Sequence, residues 1–229
     1  GCGDEFAFSL DGNESFRDVA SFEGYFRDLL ATPALRHLWP RLLYVEQPWH
    51  RSVALSPAIG ELVRTWPDRP PIIIDESDAE LASLPTALAL GYAGTSHKNC
   101  KGVFKSVVNA CILAQLRCDG QATVLSGEDL ANVGPIGLLQ DLAAQAALGV
   151  TSVERNGHHY FAGLSEFPAG LQAHALAHHG DLFTPHGGGG WPRLAIQAGK
   201  VAIGSALRAP FGYGGEPDLT GMTPVAAES

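Results

Sequence analysis

Asp11, Glu46 and Asp75 each close a short apolar run, and they are separated by 35 and 29 residues, each about one strand-helix unit. Lys98 follows 23 residues after Asp75, with Lys101 three residues further on. A charge at the end of a buried strand is costly unless something matches it. Carboxylates gathered from adjacent strands repel one another unless a hard cation neutralises them. An oxygen-only set of this kind suits Mg²⁺, which keeps its other positions for water or substrate. A lysine beside a divalent cation in a partly closed pocket has its pKa depressed far enough to serve as a base near neutral pH. A metal-bound carboxylate with a base at its α-carbon implies enolate chemistry.

Each of these residues also has a plain reading. Strand-end acids cap the following helix through its amides and dipole. A lone Lys98 at a rim would be a solvated lysine, and so would Lys101 or Lys105. The weight lies on the ordered set, not on any one member.

The elements that must position this set are legible as alternating runs. Strand character falls at Phe6–Leu10, Leu42–Val45, Pro71–Ile74, Tyr92–Ser96, Ala122–Leu125 and Val150–Val153. Helical periodicity occupies Phe22–Leu38, Ala58–Trp66, Gly102–Leu116 and Gly137–Leu148. This β-α alternation predicts a parallel sheet with covered faces, whose functional rim is the carboxyl end of the strands. Polar residues cluster after those ends, among them Asn13, Gln47, Glu76, Glu128 and Glu154. A further helix is expected at Glu166–His179. A hairpin of Leu194–Gln197 with Val201–Ser205, turning at Ala198-Gly199, is expected beyond it.

Composition narrows the classes. With 229 residues, 45% hydrophobic, the chain can bury a sizeable core, and one domain is the default. A net charge of −9 without any basic stripe argues against nucleic acid and suits a cytoplasmic protein. No apolar run is long enough to span a membrane, and no signal-like leader is visible. Cys2, Cys100, Cys111 and Cys118 form no metal or disulfide framework, and Cys100 is expected to pack. The chain opens on Gly1 and its only methionine is Met222, so an upstream segment is expected to be missing.

The segments "FSLDGNE", "LLYVEQP", "IIIDES" and "HKNCKG", in this order, resemble the third to sixth strands of the barrel domain of the enolase superfamily. The nearest likeness is to its muconate-lactonizing and mandelate-racemase-type members. The resemblance implies an α/β fold: a partial TIM-type (β/α) barrel, enolase C-terminal domain-like, with helices outside. Residues 1–229 would be one domain, strands three to eight over about 5–180 and a tail over about 181–229. It implies Mg²⁺ on Asp11, Glu46 and Asp75, and Lys98 as the base. Asn13, Lys101 and His158 would contact a small carboxylic acid substrate. The activity implied is proton abstraction α to that carboxylate through an enediolate, followed by reprotonation (an isomerase) or loss of a β-substituent (a lyase). A homo-oligomer is expected of the full-length protein. The likeness runs from about Phe6 to Gly214, its specific motifs within the first 105 residues.

Two departures from the family pattern stand out. The capping domain that normally precedes the barrel, and the lysine pair of its second strand, have no counterpart. Six strands are visible where a closed barrel takes about eight, so the chain reads as a C-terminal fragment. The other class of reading is a non-catalytic metal-binding barrel remnant.

Rival motifs are weaker. "HGGGGWP", residues 186–192, is similar to the oxyanion loop of esterases, but no G-x-S-x-G elbow accompanies it. His174 and His178 have zinc-protease spacing, but Ala175 stands where the general-base glutamate belongs. An exposed amphipathic helix is the expectation there.

Overall fold

A computed structural model describes residues 6–130, 132–155, 157, 160–185 and 190–224. Six strands alternate with helices: β1 (Phe8–Asp11), β2 (Leu42–Glu46), β3 (Ile72–Ile74), β4 (Gly94–His97), β5 (Val124–Glu128) and β6 (Val153–Glu154). Their order in the sheet is their order in the chain. The registers of β1–β2, β2–β3, β3–β4 and β5–β6 are all parallel. This is the sequential parallel order of an incomplete β/α barrel. By internal contacts the chain divides into two compact units, residues 1–126 and 127–229.

In the first unit the connecting helices are α1 (Val19–Ala31), α2 (Arg51–Ala54), α3 (Pro57–Thr65), α4 (Ser83–Leu90) and α5 (Val103–Cys118). The side chain of Asp18 caps α1 by accepting from the Ser21 amide at 2.8 Å. The helix ends at Ala31, short of the expected Leu38. Pro33 forces Thr32 into an extended conformation (φ −71°, ψ 114°), and two short 3₁₀ turns carry the chain to β2. All three residues of β3 are buried, as a strand covered on both faces requires. An aromatic group, Phe22, Phe26, Trp49 and Trp66, fills the space between α1 and the sheet. Phe22 meets Trp49 edge-on at 4.9 Å.

Gly94 shows why β4 begins with a residue lacking a side chain. A Cβ at that position would overlap the carbonyl of Val124 where β5 passes, and Val124 N–H donates to Ala93 O at 2.8 Å. Gly94→Ala must therefore separate the two strands or break that bond. The expected cost is about 1–3 kcal/mol, read from urea unfolding as a lower midpoint with an unchanged slope.

In the second unit α6 (Pro135–Ala147) and the helix Ala169–His178 pack Leu138, Leu139, Leu142, Leu171 and Ala175 around Leu164, Leu182 and Phe183. The hairpin turn falls where expected, with Ala198 and Gly199 both left-handed (φ 48° and 73°), as a tight two-residue turn demands. Its arms are shorter than expected. Only Ile196–Gln197 and Lys200–Val201 pair, because Leu194 pairs instead with Phe183 and residues 204–208 turn helical.

The exposed amphipathic reading of the histidine helix is corrected at its end. His179 is fully buried, its Nδ1 bonded to Ser205 Oγ at 2.8 Å and its Nε2 accepting from the Gly214 amide at 2.8 Å. Residues 186–189 of the glycine-rich loop lie outside the described residues.

Candidate active site

The parallel register places the predicted ligands at one end of the sheet. Asp11 pairs with Glu46 across β1 and β2, and Glu46 pairs with Ile73, two residues before Asp75. Asp11 is exposed at the rim and accepts from the backbone amide of Asn13 at 2.8 Å. Asn13 reaches the site through that amide, in a left-handed turn (φ 42°). Glu46 is buried (4% exposed), and so is Asp75 (1%).

Asp75 is the hub. Lys98 Nζ lies 2.6 Å from its Oδ2, and Lys101 Nζ meets its Oδ1. Lys101 also donates to Ser96 O at 2.7 Å. The two lysines do not share a strand. Lys98 follows the last residue of β4, and Lys101 ends the 3₁₀ turn Asn99–Lys101, which brings both ammonium groups back to one carboxylate. His97 anchors this turn, its Nδ1 on Ser106 Oγ at 2.6 Å and its Nε2 on Asn99 Oδ1 at 2.9 Å. Burial holds the His97 pKa down. Cys100, expected to pack on the side away from the lysines, is exposed, because it lies in a 3₁₀ turn and not in a strand. Lys105, expected to be solvated, is buried and pairs with Asp78 Oδ1 at 3.0 Å. His158 lies outside the described residues.

The electrostatics are those of crowded negative charge. The Glu46 carboxyl is pushed up to about 8, first by burial, then by the charges of Asp75 and Asp11, against weaker help from Ser96 and Lys101. Asp11 is raised chiefly by partial desolvation; the Asn13 amide opposes this, and the nearby Asp75 charge adds to it. Glu76 is raised to about 7 by burial and then by Asp75, and its Oε2 is buried without a hydrogen-bond partner. Among the described residues no three His, Cys, Asp or Glu side chains stand placed around one ion, and both Asp75 oxygens are engaged by lysines. The donors are nonetheless oxygen-only; Glu46 holds its proton well above the ordinary carboxylate range and Asp11 is raised. That is the charge pattern a hard divalent cation relieves.

Two residues of the site went unassigned in the sequence. Glu76 adjoins Asp75 and shares its field. Gln47 is buried beside Glu46 and bonds the backbone of Asp75. The only hint of either was a polar residue next to a strand-end acid.

No protein-family model matches the chain, and the comparison with curated proteins finds no match. Among solved structures it is similar to a mandelate racemase/muconate lactonizing family protein from Azoarcus sp. EbN1. The identity is 22% and the TM-score 0.47, over 68% of this chain and 38% of that one. It is also similar to a muconate cycloisomerase from Azorhizobium caulinodans, at 22% identity and TM-score 0.47, over 64% of this chain and 37% of that one. The chain thus spans less than two fifths of the length of these structures. Among the described residues no helix is long and apolar enough to cross a membrane.

Proposed function

We propose that the chain is part of a Mg²⁺-dependent enzyme that removes the proton α to the carboxylate of a small organic acid. One observation supports this above the rest. Asp75 holds two lysine ammonium groups beside a glutamate whose carboxyl is pushed up to about 8. A lysine that could serve as the base once deprotonated, close to carboxylate oxygens that could hold a cation, is what supports this reading.

Asp11, Glu46 and Asp75 are the residues that would hold the cation. When bound, Mg²⁺ supplies electrostatic stabilisation of the negative charge that develops on the substrate carboxylate. Lys98, in its neutral amine form, would take the α-proton and become an ammonium ion beside Asp75. Lys101, tied to Ser96 O, holds a second positive charge near the developing anion. The buried faces of Glu46 and Asp75 limit water at the reacting carbon, which strengthens each of these interactions. The intermediate is then either reprotonated or loses a β-substituent, giving an isomerase or a lyase. A protein carrying this site is expected to be cytoplasmic.

The test is exchange of substrate α-hydrogen in deuterated water. The full-length protein should exchange it for at least one member of a panel of small carboxylic acids, and chelation of divalent cations should abolish this. Exchange that persists in chelator, or none across the panel, overturns the reading.

A further inference from the structure

We infer that Gln47 is a positioning residue for this site: its side-chain amide fixes the carboxyl end of β3, and through it the placement of Asp75 against Glu46. The inference rests on the metal reading above and extends it to a residue that touches neither metal nor substrate.

Every hydrogen-bonding position of the Gln47 amide is used. Oε1 accepts from the Asp75 N–H at 2.7 Å and from the Ser77 N–H at 3.3 Å. Nε2 donates to Trp49 O and to Ser77 Oγ, both at 2.7 Å. The pattern admits one orientation, because two backbone donors face the oxygen and a carbonyl faces the nitrogen. Gln47 is 1% exposed, so an unmatched group here would carry its full desolvation cost.

The backbone shows that the side chain is what this position requires. Gln47 has φ 33°, a left-handed conformation that glycine adopts without strain and other residues adopt rarely. Its own N–H donates to Ile73 O at 2.9 Å, and its carbonyl accepts from Glu14 N–H at 2.9 Å, so β1's turn, β2 and β3 are all tied here. Asp75 is consequently held at its N–H by Gln47, at its carbonyl by Asp78 N–H (2.9 Å) and at its carboxylate by Lys98 and Lys101. Of these, only the Gln47 contact reaches Asp75 from the residue adjoining Glu46. It therefore couples the backbone positions of two proposed ligands.

Gln47→Ala removes both the acceptor and the donor. Gln47→Glu keeps an acceptor for the Asp75 and Ser77 amides and serves as the second variant if the first does not fold. Two measurements separate positioning from mere support. Mn²⁺ affinity, followed by electron paramagnetic resonance on the folded full-length protein, should weaken about 10–100-fold in Gln47→Ala, the usual loss when a ligand's orienting partner is removed. In chelator, hydrogen exchange of the Asp75 amide should accelerate in Gln47→Ala and recover in Gln47→Glu, while the buried amides of β2 stay protected.

Unchanged Mn²⁺ affinity in Gln47→Ala, with the wild type binding, overturns the inference and leaves the metal reading intact. A wild type that binds no Mn²⁺ overturns the metal reading itself; faster Asp75 exchange would then mark Gln47 as structural support only, and the inference would fall with it.

Discussion

Lys98→Ala is expected to slow exchange of the substrate α-hydrogen by about 10²–10⁴-fold, the range that a positioned general base contributes. The structure also sets what should not change. Asp75 is 1% exposed and would be a costly lone charge if both its partners were lost. Removing Lys98 leaves Lys101 on the other oxygen of the same carboxylate, so the fold should survive the substitution. The affinity for Mg²⁺ should be equal or greater, because one competing cation has left a proposed ligand. A base and a structural ion-pair partner thus predict opposite results. The first gives lost exchange with retained metal binding; the second gives retained exchange with a lower unfolding midpoint. Exchange kinetics on the full-length variant, with calorimetric titration of Mg²⁺, separate the two. Lys101→Ala is the control, since its ammonium group also holds Ser96 O and its loss should loosen the turn after β4.

The strands and the end of the sheet they serve were legible because a parallel, doubly covered sheet leaves a coarse signature: short apolar runs at regular spacing, each closed by a polar residue. The Ile72–Ile74 run could be little else. Boundaries set by single residues were less legible. Periodicity carried α1 to Leu38, whereas Pro33 stops it at Ala31. Strand alternation was extended through Lys98 to Lys101, whereas a 3₁₀ turn intervenes and leaves Cys100 exposed while both lysines meet Asp75. The buried states of Lys105 and His179 were illegible for a different reason. Each is matched by a partner remote in sequence, Asp78 in one case and Ser205 and Gly214 in the other. No local pattern distinguishes such a residue from a solvated one. Gln47 belongs with these, since its partners at Asp75 and Ser77 lie about one strand-helix unit away.

The stability of the protein in chelator should fall as pH rises from about 5 to 8, and Glu46 should account for most of the fall. Its carboxyl is raised to about 8 in the folded chain from an ordinary 4.5, so between those values the folded protein holds a proton that the unfolded chain has released. Stability declines with pH wherever the folded state binds more protons. The contribution of this group is therefore fully favourable near its unfolded pKa and is lost as pH climbs through the folded one. A displacement of this size corresponds to on the order of 4 kcal/mol across the window. Glu76, raised to about 7, acts in the same direction. The lowered carboxyls of Glu14 and Asp18 act in the opposite sense mostly below the window, and the lowered imidazoles of His97, His174 and His179 act in the opposite sense in its lower part, up to about 6.5, so the fall is steepest above that. Glu46→Gln cannot titrate, so urea unfolding at pH 5.5 and 8 should show a clearly shallower pH slope than the wild type, the remainder coming from Glu76. A divalent cation reverses the relation, because the ligand must give up its proton to bind. Added Mg²⁺ should stabilise the wild type more at pH 8 than at pH 5.5, release close to one proton per ion bound near neutral pH, and do neither in Glu46→Gln. Equal pH slopes in chelator for the two proteins would mean that Glu46 ionises in the fold as freely as in water. Its burial beside Asp75 would then need no cation to explain it.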